Sequence, residues 1–385
     1  MAGVNQAYLD NSATTRPGEN VIEAMAQCMR DGFYNPSSQY APAVESEKKM
    51  AACRAKIARA LKVTAEEIFF TSGGTEANNL VILGTAGLQR SPGHFIVNAT
   101  EHPSVLEAFA QVEKMGHRVT YLPVCEDGLP DMAAYEAALA DRPVLVSVMQ
   151  VNNETGAMAD IRKMAAMAKK ANPKCLFHAD GVQGFLRVPI DAKNIDFYTL
   201  SAHKIHGPKG TGALYVKKGV RLAPRQIGGG QEKGMRSGTE NTPGIAGLSQ
   251  AIDDMRAVSG LSEELMRKKL LLLDKIRKAV PDALVNGPAP DTAAPHIINI
   301  SFPGVRGEVM LHALEAKQVY CSTGSACSSK KRHVSAVLTA MGLSADQAEG
   351  AIRFSLSPHT TDEEIEYAAA CIGESYDLLK QYQRR

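Results

Sequence analysis

The most constraining feature of the sequence is an alternation of apolar runs of strand length with longer stretches of helical periodicity. Segments 68–70, 94–99, 119–123, 144–151, 175–179, 197–201 and 212–216 read as strands, with helices over 45–61, 76–88, 103–114, 132–140 and 161–170 between them. Strands apolar along their length need cover on both faces, and intervening helices supply it. The pattern therefore predicts an α/β fold with a mainly parallel central sheet. Helical periodicity continues over 242–258 and 261–280. The pattern then changes to short segments at 296–302, 309–317, 319–323 and 352–356, with a helix from Thr361 onward. A chain of 385 residues exceeds one usual domain. We expect a large domain over 15–258 and a smaller α+β domain built from 1–14 and 259–385.

Charge excludes little but demands nothing. With 43 basic and 41 acidic residues, the net charge of +2 requires neither nucleic acid nor an anionic membrane as partner. No apolar run approaches the roughly 20 residues that cross a bilayer, and MAGVNQAYLD lacks the basic start and apolar stretch of a secretory signal. The expected compartment is the cytoplasm. Seven cysteines, at 28, 53, 125, 175, 321, 327 and 371, form no C-x-x-C pair. No metal site or disulfide framework is expected, and most of these thiols should be buried.

Four local patterns carry chemistry. Thr71-Ser72-Gly73-Gly74-Thr75-Glu76 lies between a short strand and a helix. Glycines let backbone approach an anion, and the free amides and dipole of a helix start favour phosphate; an ordinary turn capped by Thr75 has the same pattern. Asp180 ends an apolar strand, where open α/β sheets bind ligands. A carboxylate there can hold a pyridinium N–H or cap a helix. Lys204 follows a strand and precedes a glycine-rich turn, with Ser201 and His203 in reach of phosphate oxygens. A partly desolvated lysine forms Schiff bases, although a solvated loop lysine is commoner. Taken together, a phosphate cradle, a strand-end aspartate and such a lysine are the three parts of a pyridoxal-phosphate site. The fourth pattern is Ser325-Ala326-Cys327, followed by the basic run Lys330-Lys331-Arg332-His333. Cations lower a thiol from its usual pKa near ~8.5, and the thiolate is the nucleophile; a tolerated loop thiol beside a solvated basic run is the plainer account. Cys321 lies in a strand pattern and reads as core.

In this order and combination the residues resemble the cysteine desulfurases, within the class V branch of fold-type I pyridoxal-phosphate enzymes. The resemblance runs from Tyr8-Leu9-Asp10-Asn11-Ser12 to Arg353-Phe354-Ser355-Leu356-Ser357. Between them stand SGGTEANN, TEHPSV, VNNETG, HADGVQ, SAHKIHGPKG, GGGQEKGMRSGTEN and Gly324-Ser325-Ala326-Cys327. It implies Lys204 as the Schiff-base lysine, Asp180 at the pyridine nitrogen, and His102 stacked on the ring and handling protons. It implies Gln183 and Asn153 at the ring hydroxyl or the substrate carboxylate, with Gly74, Thr75, Ser201 and His203 around the phosphate. Thr239 would reach a phosphate across a homodimer interface, and Arg353 would clamp the substrate carboxylate, which suits a bidentate guanidinium. Cys327 would take the sulfur.

The implied reaction converts L-cysteine to L-alanine. The sulfur passes as a persulfide to an acceptor protein, an iron–sulfur scaffold or a tRNA thiolation enzyme, without direct nucleic-acid contact, metal or membrane. A selenocysteine lyase or another class V lyase or aminotransferase is the near alternative, and a non-catalytic sulfur-transfer scaffold the distant one. Two segments depart from the family pattern. Tyr40 and Ala43 stand where histidine and glycine are usual, and the basic run 330–333 replaces a Glu-Pro-Ser stretch.

Overall fold

The computed structural model describes residues 5–324 and 334–382. In chain order the first half contains β1 (Ala7–Tyr8), α1 (Glu19–Asp31), α2 (Ala41–Leu61), β2 (Ile68–Thr71), α3 (Gly74–Ala86), β3 (His94–Asn98), α4 (Pro103–Lys114), β4 (Arg118–Leu122), α5 (Met132–Leu139), β5 (Leu145–Met149), α6 (Ile161–Ala171) and β6 (Leu176–Asp180). The second half contains β7 (Phe197–Ser201), β8 (Gly212–Val216), α7 (Thr242–Ala257), α8 (Leu261–Ala279), β9 (Leu284–Asn286), β10 (Ile297–Ser301), α9 (Gly307–Glu315), β11 (Val319–Tyr320), α10 (Ala336–Ala340), α11 (Ala345–Glu349), β12 (Ala351–Ser355) and α12 (Asp362–Tyr382).

Seven strands form the main sheet in the order β2-β8-β7-β6-β5-β3-β4. Its five strands from β7 to β4 run parallel, and β8 runs antiparallel to both neighbours. The reversal has a simple cause. The link from β7 to β8 holds no crossover α-helix, and a parallel return needs one or a connection of similar length. Strands β5 and β7 are buried at every residue, whereas edge strand β4 is polar and mostly uncovered, as an edge must be to avoid pairing with other chains. The observed sheet is the mainly parallel one that the alternation predicts.

A three-stranded antiparallel sheet, β12-β10-β9, and the two-stranded parallel pair β1-β11 follow a different pattern. Segment 309–317 corresponds to helix α9. The N-terminal stretch connects the two regions: Asp10 bridges Ser355 on β12, and the Thr15 amide donates to the His203 carbonyl at 2.9 Å. The C-terminal ends of the parallel strands therefore face residues 10–15. Ligands bind at this end of open α/β sheets.

Candidate active site

Lys204 sits in the turn that follows β7, and its Nζ donates to the carbonyls of Ser12 at 2.5 Å and Ala13 at 2.8 Å. Burial is the main force on its ionisation and brings the amine down to about 7. Arg353 and Arg187 push the same way, while Asp10 and Asp180 oppose them. Near neutrality a large fraction of this lysine is thus the free amine, the form that attacks a carbonyl.

Asp180, at the end of β6, is held by two donors: Asn78 Nδ2 at 2.8 Å and the Val182 amide at 3.0 Å. Asn78 gives its second hydrogen to Ser104 Oγ at 3.0 Å, and that hydroxyl lies 2.8 Å from His102 Nδ1. The same Nδ1 accepts from the Ser104 amide at 3.1 Å, so it carries no proton and the hydrogen of the neutral ring is on Nε2. Burial lowers the His102 pKa, which keeps the ring neutral; Asp180 opposes this shift and Lys204 adds to it. Fully buried Glu101 next to it is pushed well above the carboxylate range by burial and by Asp180. Its Oε1 accepts from the Met149 amide at 2.5 Å, and its Oε2 has no partner among the described residues.

Helix α3 opens without a side-chain cap, so the amides of its first turn are free for an anion. Close packing sets the glycines here. A Cβ on Gly74 would stand 2.8 Å from Val182 Cγ2, and one on Gly212 would stand 2.7 Å from the Gly73 Cα. Gly73 itself has φ +151°, open to glycine alone. Ser201 and His203 line the same cleft. His203 is lowered to about 4, first by burial and then by Lys204, Lys209 and Arg187, and its Nδ1 lies 3.2 Å from Thr14 Oγ1.

On the opposite wall, buried Arg353 on β12 donates to Asp10 Oδ1 at 2.6 Å and to the Asn153 carbonyl at 3.0 Å. Its Nε has no partner among the described residues. Gln183 donates from Nε2 to the Ser12 carbonyl at 2.9 Å.

One cleft therefore gathers Gly74, Thr75, His102, Asn153, Asp180, Gln183, Ser201, His203, Lys204 and Arg353. Thr239 is exposed and does not line it, and Cys327 lies outside the described residues, as do 330–333. Among the described cysteines only Cys125 is exposed; Cys321 is buried, as a core residue should be. Tyr40 packs edge-on to Tyr34, away from the cleft.

The profile described as Aminotransferase class-V matches residues 7–368. The chain belongs to this family. Among its class-V relatives, the cysteine desulfurase IscS of Clostridium botulinum is 40% identical over 367 residues, covering 94% of this chain and 92% of the relative. A solved structure named NifS-like protein superposes with a TM-score of 0.90 at 33% identity, covering 97% of this chain and 100% of that one. Another, SspA in complex with cysteine, gives 0.82 at 33% identity over 92% of this chain and 100% of its own.

Pyridoxal 5′-phosphate is the cofactor of this class-V chain. The cleft fits it on three counts: an uncapped helix start behind a glycine cradle, a lysine that is partly free amine near neutrality, and a buried aspartate already fixed by two donors.

Sequence reasoning missed Asn78, Ser104, Glu101, Asp10 and the carbonyls of Ser12 and Ala13. Asn78 had a usable signal: it stands four residues after Gly74, on the same face of α3.

Proposed function

We propose that this class-V chain is a cysteine desulfurase that releases L-alanine from L-cysteine and holds the sulfur as a persulfide on Cys327. The observation that carries the reading is the pairing, in one cleft, of the Lys204 amine with the fixed carboxylate of Asp180 and the buried guanidinium of Arg353. Relatives at 40% identity that are named desulfurases support it.

Gly74, Thr75, Ser201 and His203 hold the phosphate, with Thr239 supplied by a second copy. Asp180 holds a proton at the ring nitrogen, and Gln183 and Asn153 bind at the ring hydroxyl or the substrate carboxylate. When bound, pyridoxal phosphate supplies a sink for the electron pair released as the substrate Cα–H bond breaks. Lys204 would hold the cofactor by its aldehyde and, as a free amine, would take the Cα proton, a role suited to a base near neutral pKa. His102, neutral with its hydrogen on Nε2, moves protons on the other side of the substrate. Arg353 fixes the substrate carboxylate. The Cys327 thiolate attacks the substrate sulfur: the S–S bond forms, the Cβ–S bond breaks, and its electron pair stays on Cβ to be protonated.

The division into 15–258 and 1–14 with 259–385 suits this chemistry, because β1 pairs with β11 and Asp10 pairs with Arg353. A homodimer is supported by exposed apolar side chains on α1 and α2, namely Ile22, Met29 and Val44, with Phe33 and Tyr40 between the helices. We place the protein in the cytoplasm, with an iron–sulfur scaffold or a tRNA thiolation enzyme as sulfur acceptor. Among the described residues, no helix is long and apolar enough to cross a membrane.

The test is turnover of L-cysteine by the purified holoenzyme. Wild type should yield alanine and a persulfide mapped to Cys327. Cys327→Ser should keep the cofactor on Lys204 but lose at least about 10³-fold in sulfide release; a fully active Cys327→Ser enzyme contradicts the proposal.

A further inference from the structure

Arg187 lies directly behind Lys204 and has no part in the chemistry above. It is 2% exposed, and a buried arginine normally finds a carboxylate. Among the described residues Arg187 has none. Its Nη1 donates to Gln183 Oε1 at 3.2 Å and its Nη2 to the Lys204 carbonyl, both neutral oxygens. Desolvation alone acts on its ionisation, lowering it to about 10, so it remains a cation at neutral pH. The residue before it, Leu186, stands at φ +61°, a left-handed conformation that disfavours leucine and clusters at functional sites.

The hydrogen bonds close a ring. Arg187 reaches Gln183 and the backbone of Lys204; Gln183 Nε2 and Lys204 Nζ both donate to the Ser12 carbonyl, at 2.9 and 2.5 Å. Because guanidinium only donates, Gln183 must turn its oxygen toward Arg187, which leaves its NH₂ toward Ser12 and the cleft.

We propose that Arg187 is a positioning residue for the cofactor-bearing lysine: its fork sets the amide of Gln183 and the backbone of Lys204, and its unneutralised charge, buried behind that lysine, adds to burial and Arg353 in disfavouring a second cation there. The inference rests on Lys204 carrying the cofactor. The charged and titratable groups around that nitrogen are Arg187, Arg353, Asp10, Asp180, His102 and His203. The two carboxylates oppose the two guanidiniums, so removing Arg187 tips the balance toward protonation. The neighbouring imidazoles His203, His206 and His296 are all depressed by burial and do not replace its charge.

The test is a pH titration of the visible absorbance of the bound cofactor in holoenzyme, together with the pH dependence of acylation of Lys204 in full-length protein stripped of cofactor. Arg187→Met should move both midpoints up by about one pH unit, equivalent to an about tenfold lower ratio of free amine to ammonium at a given pH. Arg187→Lys, which keeps the charge, should restore the wild-type midpoints. Where Arg187→Met gives no folded protein, Arg187→Gln carries the same test, because its amide can still donate to a carbonyl without charge. Midpoints equal to wild type in the neutral variants overturn the inference. Failure to find the cofactor on Lys204 in wild type overturns the desulfurase reading instead.

Discussion

Two lysines of the protein donate to consecutive backbone carbonyls in similar ways and in different company. Lys204 Nζ donates to the consecutive carbonyls of Ser12 and Ala13, and Lys269 Nζ on α8 donates to those of Ala293 and Ala294. Burial depresses both, to about 7 and about 8 respectively. Lys269 is fully enclosed, and Asp291 opposes its shift. Lys204 opens onto a cleft with two guanidiniums, two carboxylates and an uncapped helix start around it. A lowered lysine pKa therefore marks burial, and only the surrounding groups and access to a ligand make it a reactive amine.

Four substitutions break or sharpen this contrast. The largest effect is expected from Lys204→Ala: loss of at least about 10³-fold in alanine formation and of any covalently fixed cofactor after borohydride reduction. Asp180→Asn keeps the hydrogen-bonding shape but removes the charge that holds the ring nitrogen protonated, and kcat should fall by about 10²-fold in steady-state assays. Arg353→Lys replaces a fork with a point charge at the carboxylate site. KM for L-cysteine should rise about tenfold with a smaller change in kcat.

The smallest effect on activity belongs to Lys269→Met, within about twofold of wild type. Its effect lies in stability. The folded pKa of Lys269, about 8, is below its ordinary value of 10.5, so between these values the unfolded chain binds more protons and wild type gains stability as pH rises. Thermal melts from pH 8 to 10 should show that gain reduced in Lys269→Met; parallel curves would mean that Lys269 stays charged when folded.

Much of this was legible in the sequence because burial leaves a pattern. Strand β5 is apolar at every position but Ser147, and β7 is buried throughout with only the small polar residues Thr199 and Ser201 among apolar ones, since both faces are covered. Helix α1 left little trace: it buries only Val21 and Cys28 and starts at Gly18 without a side-chain cap. Helix α2 begins at Ala41 rather than 45 because a proline in the first turn is compatible with a helix. In the cleft, Gly74, Asp180 and Lys204 stand at strand ends and turns, where local sequence has a distinctive form. Arg187 does not. Its partner Lys204 lies 17 residues away, and Arg353 meets Asp10 across 343 residues. Such pairings exist only once the chain has folded, and an arginine in isolation reads as surface.

The central claim is that the reactive amine is on Lys204, and one measurement tests it most directly. Holoenzyme is reduced with borohydride, digested, and searched by mass spectrometry for the pyridoxyl-phosphate adduct. The account predicts the adduct on the peptide that contains Lys204 and none on the peptide that contains Lys269. An adduct on another lysine, or none at all, would contradict it.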